Sequence, residues 1–326
     1  TSMLQDPNAS MGAVVQDRGP LSRIYPEYLE YMKQANDATG KPVFLVSNIQ
    51  GTSSDNTVME STARGLPILD GVYSFLAGVR CMHRYRDYLK LENNNPEPVA
   101  TQAIKKWQQS IEQGQLIGEH EALEMLADNG IATNQSYCVD NLKNAIQSAN
   151  KLGYPVVLKT AVSGISHKSE VHGVHLNLNS EDELKGAYED LEKRLGPEVL
   201  ISPMIDNEGV EMILGMTTDP QFGPMIALGF GGVYAEVLKD VVTLMPPFSA
   251  QIAEQALSEL KMKSLLDGYR GKEAVNVESF CEMASQFSLF AIAMQNQICE
   301  IDVNPIILGK DICLGSDALV VVHEDN

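Results

Sequence analysis

The stretch 155–178, PVVLKTAVSGISHKSEVHGVHLNL, sets Lys159, His167 and Lys168 between two apolar runs. Val156, Val157 and Leu158 read as a β-branched strand that delivers Lys159 at its end. The following loop, 160–171, holds Ser, Gly, His and Lys with almost no large apolar residue, so it is expected at the surface. An ammonium group is a compact cation suited to phosphate oxygens, and a neutral imidazole nitrogen is a nucleophile toward phosphorus. Together they point to a site that handles a nucleotide phosphate and carries it covalently. Taken alone, a lysine at a strand end is usually solvated and a loop histidine usually has no special role. Other segments have to decide.

Near the C-terminus, Cys299-Glu300-Ile301-Asp302-Val303-Asn304-Pro305 carries the next signal. Alternate strand residues share a face, so Glu300, Asp302 and Asn304 project together while Ile301 and Val303 point inward. Two carboxylates and an amide oxygen make an oxygen-rich site of the kind magnesium prefers, shared with waters and substrate phosphates. Asp317 is expected on a partner strand after a turn at Lys310-Asp311, where it adds another carboxylate. A solvated strand face is the plainer explanation. Pro305 argues for the chain breaking away after Asn304 and leaving the polar groups in a cleft.

Gly229, Gly231 and Gly232 permit close backbone approach and exposed N–H groups, as a loop over phosphates requires, although a plain hairpin has the same composition. Glu236 and Asp240 just beyond can contact metal or ribose, or face water. His172 and His175 are an odd number apart in apparent strand and therefore face opposite sides, which argues against a metal site built from His167, His172 and His175. His83 and His120 fall in helical stretches, and His323 carries no readable signal.

These groups need elements to hold them. Residues 13–15, 43–46 and 65–68 read as short strands, with Tyr25, Tyr28, Leu29, Met32 and Ala35 at helical spacing before Gly40. That is a βαβ pattern and implies a parallel sheet. No GxGxxG turn follows its first strand, so it carries no dinucleotide fingerprint. A sheet of so few strands has an unpaired edge if it stands alone. Residues 89–101, rich in Asn, Pro and Glu, read as linker. Beyond them Asp140 is expected to cap a helix ending at Gly153, and Ser180 with Glu183 forms a capping-box pattern before a helix ended by Gly196-Pro197. Strands follow from Val199, then helices near 249–260 and 277–294, then closing strands. The fold class is therefore α/β and α+β, with two α+β lobes and a cleft between them as the natural ligand site.

At 326 residues and 44% hydrophobic content, the chain can bury cores for two or three domains. A net charge of -19 argues against a nucleic-acid or anionic-membrane partner, but not against an anion in a locally positive pocket. Five cysteines without a CxxC pair fit reduced thiols, no run of about 18 apolar residues occurs, and the start lacks signal-peptide character. The expected location is cytoplasmic.

Taken in order, GYPVVLK, the HKSEV loop, EMILGMTTDPQFGPMIALGFGGVYAEVLKD, GYRG at 268–271, EIDVNP and DALVVV resemble the ATP-grasp domain of ADP-forming acyl-CoA synthetases of the acetate–CoA ligase type. The resemblance covers roughly residues 116–326. Residues 10–90, with KPVFLVSN and RGLPILDG, are similar to the tail of the flavodoxin-like CoA-ligase domain that precedes ATP-grasp in fused members. The implied organisation is residues 1–88 as the C-terminal part of that domain, 89–115 as linker, and 116–326 as a two-lobed ATP-grasp domain.

The resemblance implies that Lys159 and Lys168 contact ATP phosphates and that 201–204, including Ser202 and Met204, form a hinge whose backbone meets adenine. It implies that Glu211 lines the nucleotide pocket, that Gly231, Gly232 and Glu236 lie over the nucleotide, and that Asp302, Asn304 and Asp317 hold magnesium. His167 occupies the place of a histidine that takes a phosphoryl group and passes it to ADP. The implied reaction is carboxylate + CoA + ATP to acyl-CoA + ADP + phosphate, through phosphohistidine and acyl phosphate. ATP or ADP, Mg2+ and coenzyme A are the implied cofactors and co-substrates, with CoA held mainly by a region absent from this sequence. The implied partners are a small carboxylic acid and a CoA-binding ligase domain or subunit, in an oligomer. His172 replaces a usual glycine, Asn276 a common aspartate and Thr243 a frequent arginine. Two alternatives remain: a nucleotide-sensing module of a fused acetyltransferase, and an ATP- and CoA-dependent lyase that uses the thioester as an intermediate.

Overall fold

A computed structural model describes residues 2–17, 25–48, 56–90, 101–162, 164, 165, 168, 170–205, 209–232, 240–269, 271 and 273–323. His167 and Glu236 lie outside the described residues. The chain divides into two compact units, Thr1–Glu92 and Asn93–Asn326.

The first unit runs β1 (Gly12–Gln16), α1 (Tyr25–Thr39), β2 (Val43–Ser47), α2 (Asn56–Ala63), β3 (Ile68–Asp70) and α3 (Val72–Lys90). Its strands are all parallel in the order β1-β2-β3, as the βαβ pattern predicts. The helical spacing in α1 sets Met32 and Ala35 against Val43, Leu45, Val58 and Ile68. The third strand starts at Ile68, not at Gly65. Gly65, at φ 81, and Leu66 donate their amides to Thr62 and Ser61, so this stretch closes α2 instead of opening β3.

The second unit contains two lobes with separate apolar cores. The small lobe comprises β4 (Tyr137–Val139), α6 (Leu142–Leu152), β5 (Val156–Thr160), β6 (Val174–Leu178), α7 (Glu181–Arg194) and β7 (Val199–Pro203), preceded in the chain by α4 (Gln102–Glu112) and α5 (Glu119–Asp128). Its antiparallel sheet has the order β4-β7-β5-β6, which makes β5 a central strand. Ala145 and Ala149 of α6 and Leu184, Tyr188 and Leu191 of α7 cover Val156, Leu158, Val199 and Ile201.

Two caps differ from expectation. Asn141, not Asp140, caps α6: its Oδ1 accepts from the Asn144 amide at 2.9 Å, while Asp140 accepts from the Asn141 side chain. Ser180 caps α7 through the Glu183 amide, but the Glu183 carboxylate reaches back one residue further, to the amide of Asn179.

The large lobe adds β8 (Val210–Asp219), β9 (Gly223–Phe230), β10 (Val241–Leu244), α8 (Ala250–Leu257), α9 (Val277–Met294), β11 (Ile298–Leu308), β12 (Cys313–Gly315) and β13 (Ala318–Val322). The strands are antiparallel in the order β10-β9-β8-β11-β12, with β13 also on β11. The α9 stripe of Phe280, Phe287, Phe290 and Met294 is buried, and each such side chain stabilises the fold by about 1.5–3 kcal/mol.

Part of the expected linker, 89–115, is α4. Thr101 caps it by accepting from the Ile104 amide, and Trp107 is 2% exposed in the large-lobe core, its indole N–H donating to Asp128. Composition read only 89–101 as linker; the extension to 115 followed from the resemblance, and the polar residues of α4 conceal a narrow apolar stripe.

Candidate active site

Lys159 stands in the central strand of the small lobe, between Leu200 on β7 and Val174 on β6. It is 9% exposed. Its Nζ lies 2.7 Å from Glu119 Oε1 and 2.7 Å from Asp317 Oδ2, and donates to the Ser316 carbonyl at 3.2 Å. Burial works against the ammonium charge, but the carboxylates of Glu119 and Asp317 outweigh it and hold the lysine pKa above its ordinary value. Glu119 opens α5, whose Ala122, Leu123, Met125 and Leu126 belong to the large-lobe core. Asp317 directly precedes β13 on the large-lobe sheet, so one small-lobe cation ties to two large-lobe carboxylates.

On β11 the alternation holds: Ile301 and Val303 are buried while Glu300 and Asn304 are exposed and Asp302 is half-buried. The Asn304 amide donates to the Asp317 carbonyl at 3.2 Å, and the Asn304 side chain hydrogen-bonds Asp302. Burial raises the Asp302 pKa against that bond, and the charges of Glu300 and Asp317 raise it further. Carboxylates crowded in this way are relieved by a cation, and the donors are all oxygen, as a hard divalent ion requires. Among the described residues no group of three or more His, Cys, Asp or Glu side chains is placed to hold a metal ion. The strand does not break away at Pro305. It continues to Leu308, with a shift of register against β8 between Val303 and Ile306 that accommodates the proline.

Glu211, on β8, points to the side of the sheet opposite the buried Met212, Leu214 and Met216. Gly215, on that same side, pairs with Asp302. The Gly231 amide donates to the Glu211 carbonyl at 2.7 Å. Gly232 has φ 58, and a Cβ there would collide with the Glu211 carboxylate. In the expected hinge, Ser202 is buried opposite Val157, Pro203 accepts from the Asn134 side chain at 3.0 Å, and the Met204 amide donates to Pro155.

The structure thus brings Lys159, Asp302, Asn304 and Asp317 together, ties Lys168 to them through Glu119, and groups Glu211 with Gly231 and Gly232. Asp240 does not join them. It is 5% exposed and accepts from the amides of Lys261 and Met262, at 3.0 and 2.9 Å, as a fold-stabilising cap. His172 and His175 do not face opposite sides either. His172 sits in a turn before β6 and lines, with His175, Asp190 and Arg194, an open cavity of about 650 Å3. Glu119 went unnoticed in the sequence because an acidic residue at a helix start is ordinarily explained by the helix dipole.

The sequence pattern of the ATP-grasp domain matches residues 109–322, and the chain belongs to that family. Within it the chain is similar to the β subunit of acetate–CoA ligase [ADP-forming] II of Pyrococcus furiosus, 33% identical over 229 residues, 68% of this chain and 95% of that one. A trans-feruloyl-CoA synthase from an unknown prokaryotic organism is 36% identical over 218 residues, 64% of this chain and 31% of that longer one. Among solved structures, the acetyl-coenzyme A synthetase 1 of Ca. Korarchaeum cryptofilum matches at a TM-score of 0.59 and 33% identity, over 68% of this chain and 100% of that one. That structure is a complex with coenzyme A and Mg-AMPPCP, its phosphohistidine segment pointing towards the nucleotide binding site. Among the described residues no helix is long and apolar enough to cross a membrane.

Proposed function

We propose that the chain binds ATP and magnesium between its two lobes and carries a phosphoryl group on His167, as the nucleotide-handling portion of an ADP-forming acyl-CoA synthetase. The observation that carries this reading is the 2.7 Å meeting of small-lobe Lys159 with large-lobe Asp317, beside Asn304 and Asp302. A cation for phosphate and oxygens for a metal stand together where the lobes meet. Lys159 and Lys168 bind phosphate oxygens. Ser202, Met204 and Glu211 line the nucleoside, the backbone at Gly231 and Gly232 covers the phosphates, and Glu236 contacts the metal or the ribose. Asp302, Asn304 and Asp317 hold magnesium, which neutralises charge on the phosphate chain when bound.

A neutral nitrogen of His167 attacks the γ-phosphorus. The N–P bond forms as the bridging O–P bond breaks, and ADP leaves with the electron pair. The phosphohistidine then passes its phosphoryl group to a carboxylate oxygen and regenerates the imidazole. The thiolate of coenzyme A attacks the acyl phosphate carbon and phosphate departs. The sum is carboxylate + CoA + ATP to acyl-CoA + ADP + phosphate.

Support comes from the acetate–CoA ligase β subunit, matched over 95% of its length, and from the nucleotide and phosphohistidine segment of the Korarchaeum complex. The chain spans 31% of the trans-feruloyl-CoA synthase. We therefore assign the acid pocket and the main CoA contacts to a CoA-binding ligase region, in the same polypeptide or in a partner subunit. The substrate is a small carboxylic acid. The test is incubation with γ-labelled ATP and magnesium: the chain acquires an acid-labile, alkali-stable label, and His167→Ala abolishes it. A label that survives that substitution refutes the role of His167.

A further inference from the structure

We propose that Glu119 is a positioning residue for phosphoryl transfer, its one carboxylate docking the histidine-bearing loop, through Lys168, beside the phosphate-binding Lys159. This rests on the function proposed above. Both oxygens of Glu119 are engaged, and by cations from two different segments. Oε1 meets Lys159 Nζ at 2.7 Å and Oε2 contacts Lys168 Nζ. The carboxylate is 6% exposed and stands on a helix fixed in the large-lobe core.

Capping the helix is not the task of Glu119. Glu121, not Glu119, caps the helix by accepting from the Gly118 amide at 3.0 Å. Two ammonium groups brought to one place repel each other, and a carboxylate between them removes that cost. Lys168 follows His167 directly in the chain, so holding Lys168 holds the histidine's peptide neighbour. The other end of the loop is rooted on the small lobe, where Arg194 donates to the carbonyls of Val171 and His172 at 3.0 and 2.9 Å and is itself clamped by Asp190. Among the described residues, Lys168–Glu119 is the ion pair that joins the loop to the large lobe.

The test is single-turnover phosphorylation by rapid quench over a range of ATP concentrations with saturating magnesium. It compares the wild-type chain, Glu119→Gln, Lys168→Met, the double variant and Lys168→Arg. Docking is expected to act on the maximal rate. Each neutralising variant lowers it at least tenfold, and the double variant falls no more than about twofold below the slower single, because one contact has been removed twice. Lys168→Arg, which keeps the ion pair, recovers the rate to within about threefold of wild type. Multiplicative losses in the double variant, near-normal rates in both singles, or no recovery with arginine overturn the proposal. If Glu119→Gln fails to fold, Glu119→Asp takes its place, and a maximal rate unchanged by the shortened carboxylate overturns the proposal. A wild-type chain that takes up no label refutes the function and this inference with it, whereas a labelled wild type with indifferent variants refutes this inference alone.

Discussion

Asp317→Asn separates the Lys159 pairing that the structure shows from the magnesium ligation proposed above. Without magnesium, Asp317 competes with any phosphate for Lys159, because its Oδ2 already lies 2.7 Å from the ammonium. On the proposed function, bound magnesium would take Asp317 as a ligand, which would leave Lys159 to the phosphate. The substitution keeps size and shape and removes the charge. Two opposite unit charges about 4 Å apart attract by about 4 kcal/mol at an effective dielectric of about 20. The Asp317 side chain is 35% exposed, so solvent screening reduces the net attraction to on the order of 1 kcal/mol. At about 1.4 kcal/mol per tenfold, metal-free ADP should bind about fivefold tighter to Asp317→Asn than to wild type. In saturating magnesium the order reverses and the variant binds ADP at least tenfold more weakly. Titration calorimetry of ADP in chelator and in magnesium measures both. Weakening by the same factor in both conditions, or no gain in chelator, refutes the competition.

Gly232→Ala places a Cβ at positive φ against the Glu211 carboxylate, so it should lower stability by about 1–3 kcal/mol in urea unfolding and weaken ATP binding. Asp240→Ala leaves two backbone amides in partly buried bonds without their acceptor and should cost about 1 kcal/mol of stability, with the maximal phosphorylation rate intact. Hydrogen bonding from Arg194, with its charge and that of His175, holds the Asp190 carboxyl at about 2. A depressed folded-state value means the contribution of Asp190 to stability is complete above the ordinary carboxylate range near 3.8 and is lost as pH falls through about 2. A carboxyl NMR titration should show this, with Arg194→Ala returning the group toward its usual value. Burial pushes the thiols of Cys281 and Cys313 up to about 12, so an aromatic disulfide reagent at pH 8 should modify exposed Cys81 well before either.

Periodicity made much of this fold legible. The strict alternation from Ile301 to Asn304 states which face is buried, and that face is as read. Lys159 was readable because an unbroken apolar strand delivers a charge to its end. Asp240 was not, because its acceptors serve amides 21 and 22 residues further on, a distance no local pattern encodes. His172 misled because alternation applies only within a strand, and at φ 50 this residue is in a turn. Asn141 displaced Asp140 as the cap because the two compete from adjacent positions with the same chemistry. Glu119 stayed hidden because its partners come from β5 and from a loop, elements that meet only when the two lobes pack.

A crystal structure of the chain with magnesium and a non-hydrolysable ATP analogue tests the central claim most directly. The account predicts the triphosphate between the lobes, within hydrogen-bond distance of Lys159 Nζ, with the metal on oxygens of Asp302, Asn304 or Asp317. A nucleotide bound elsewhere, with the Lys159–Asp317 pair still closed at 2.7 Å, would contradict it.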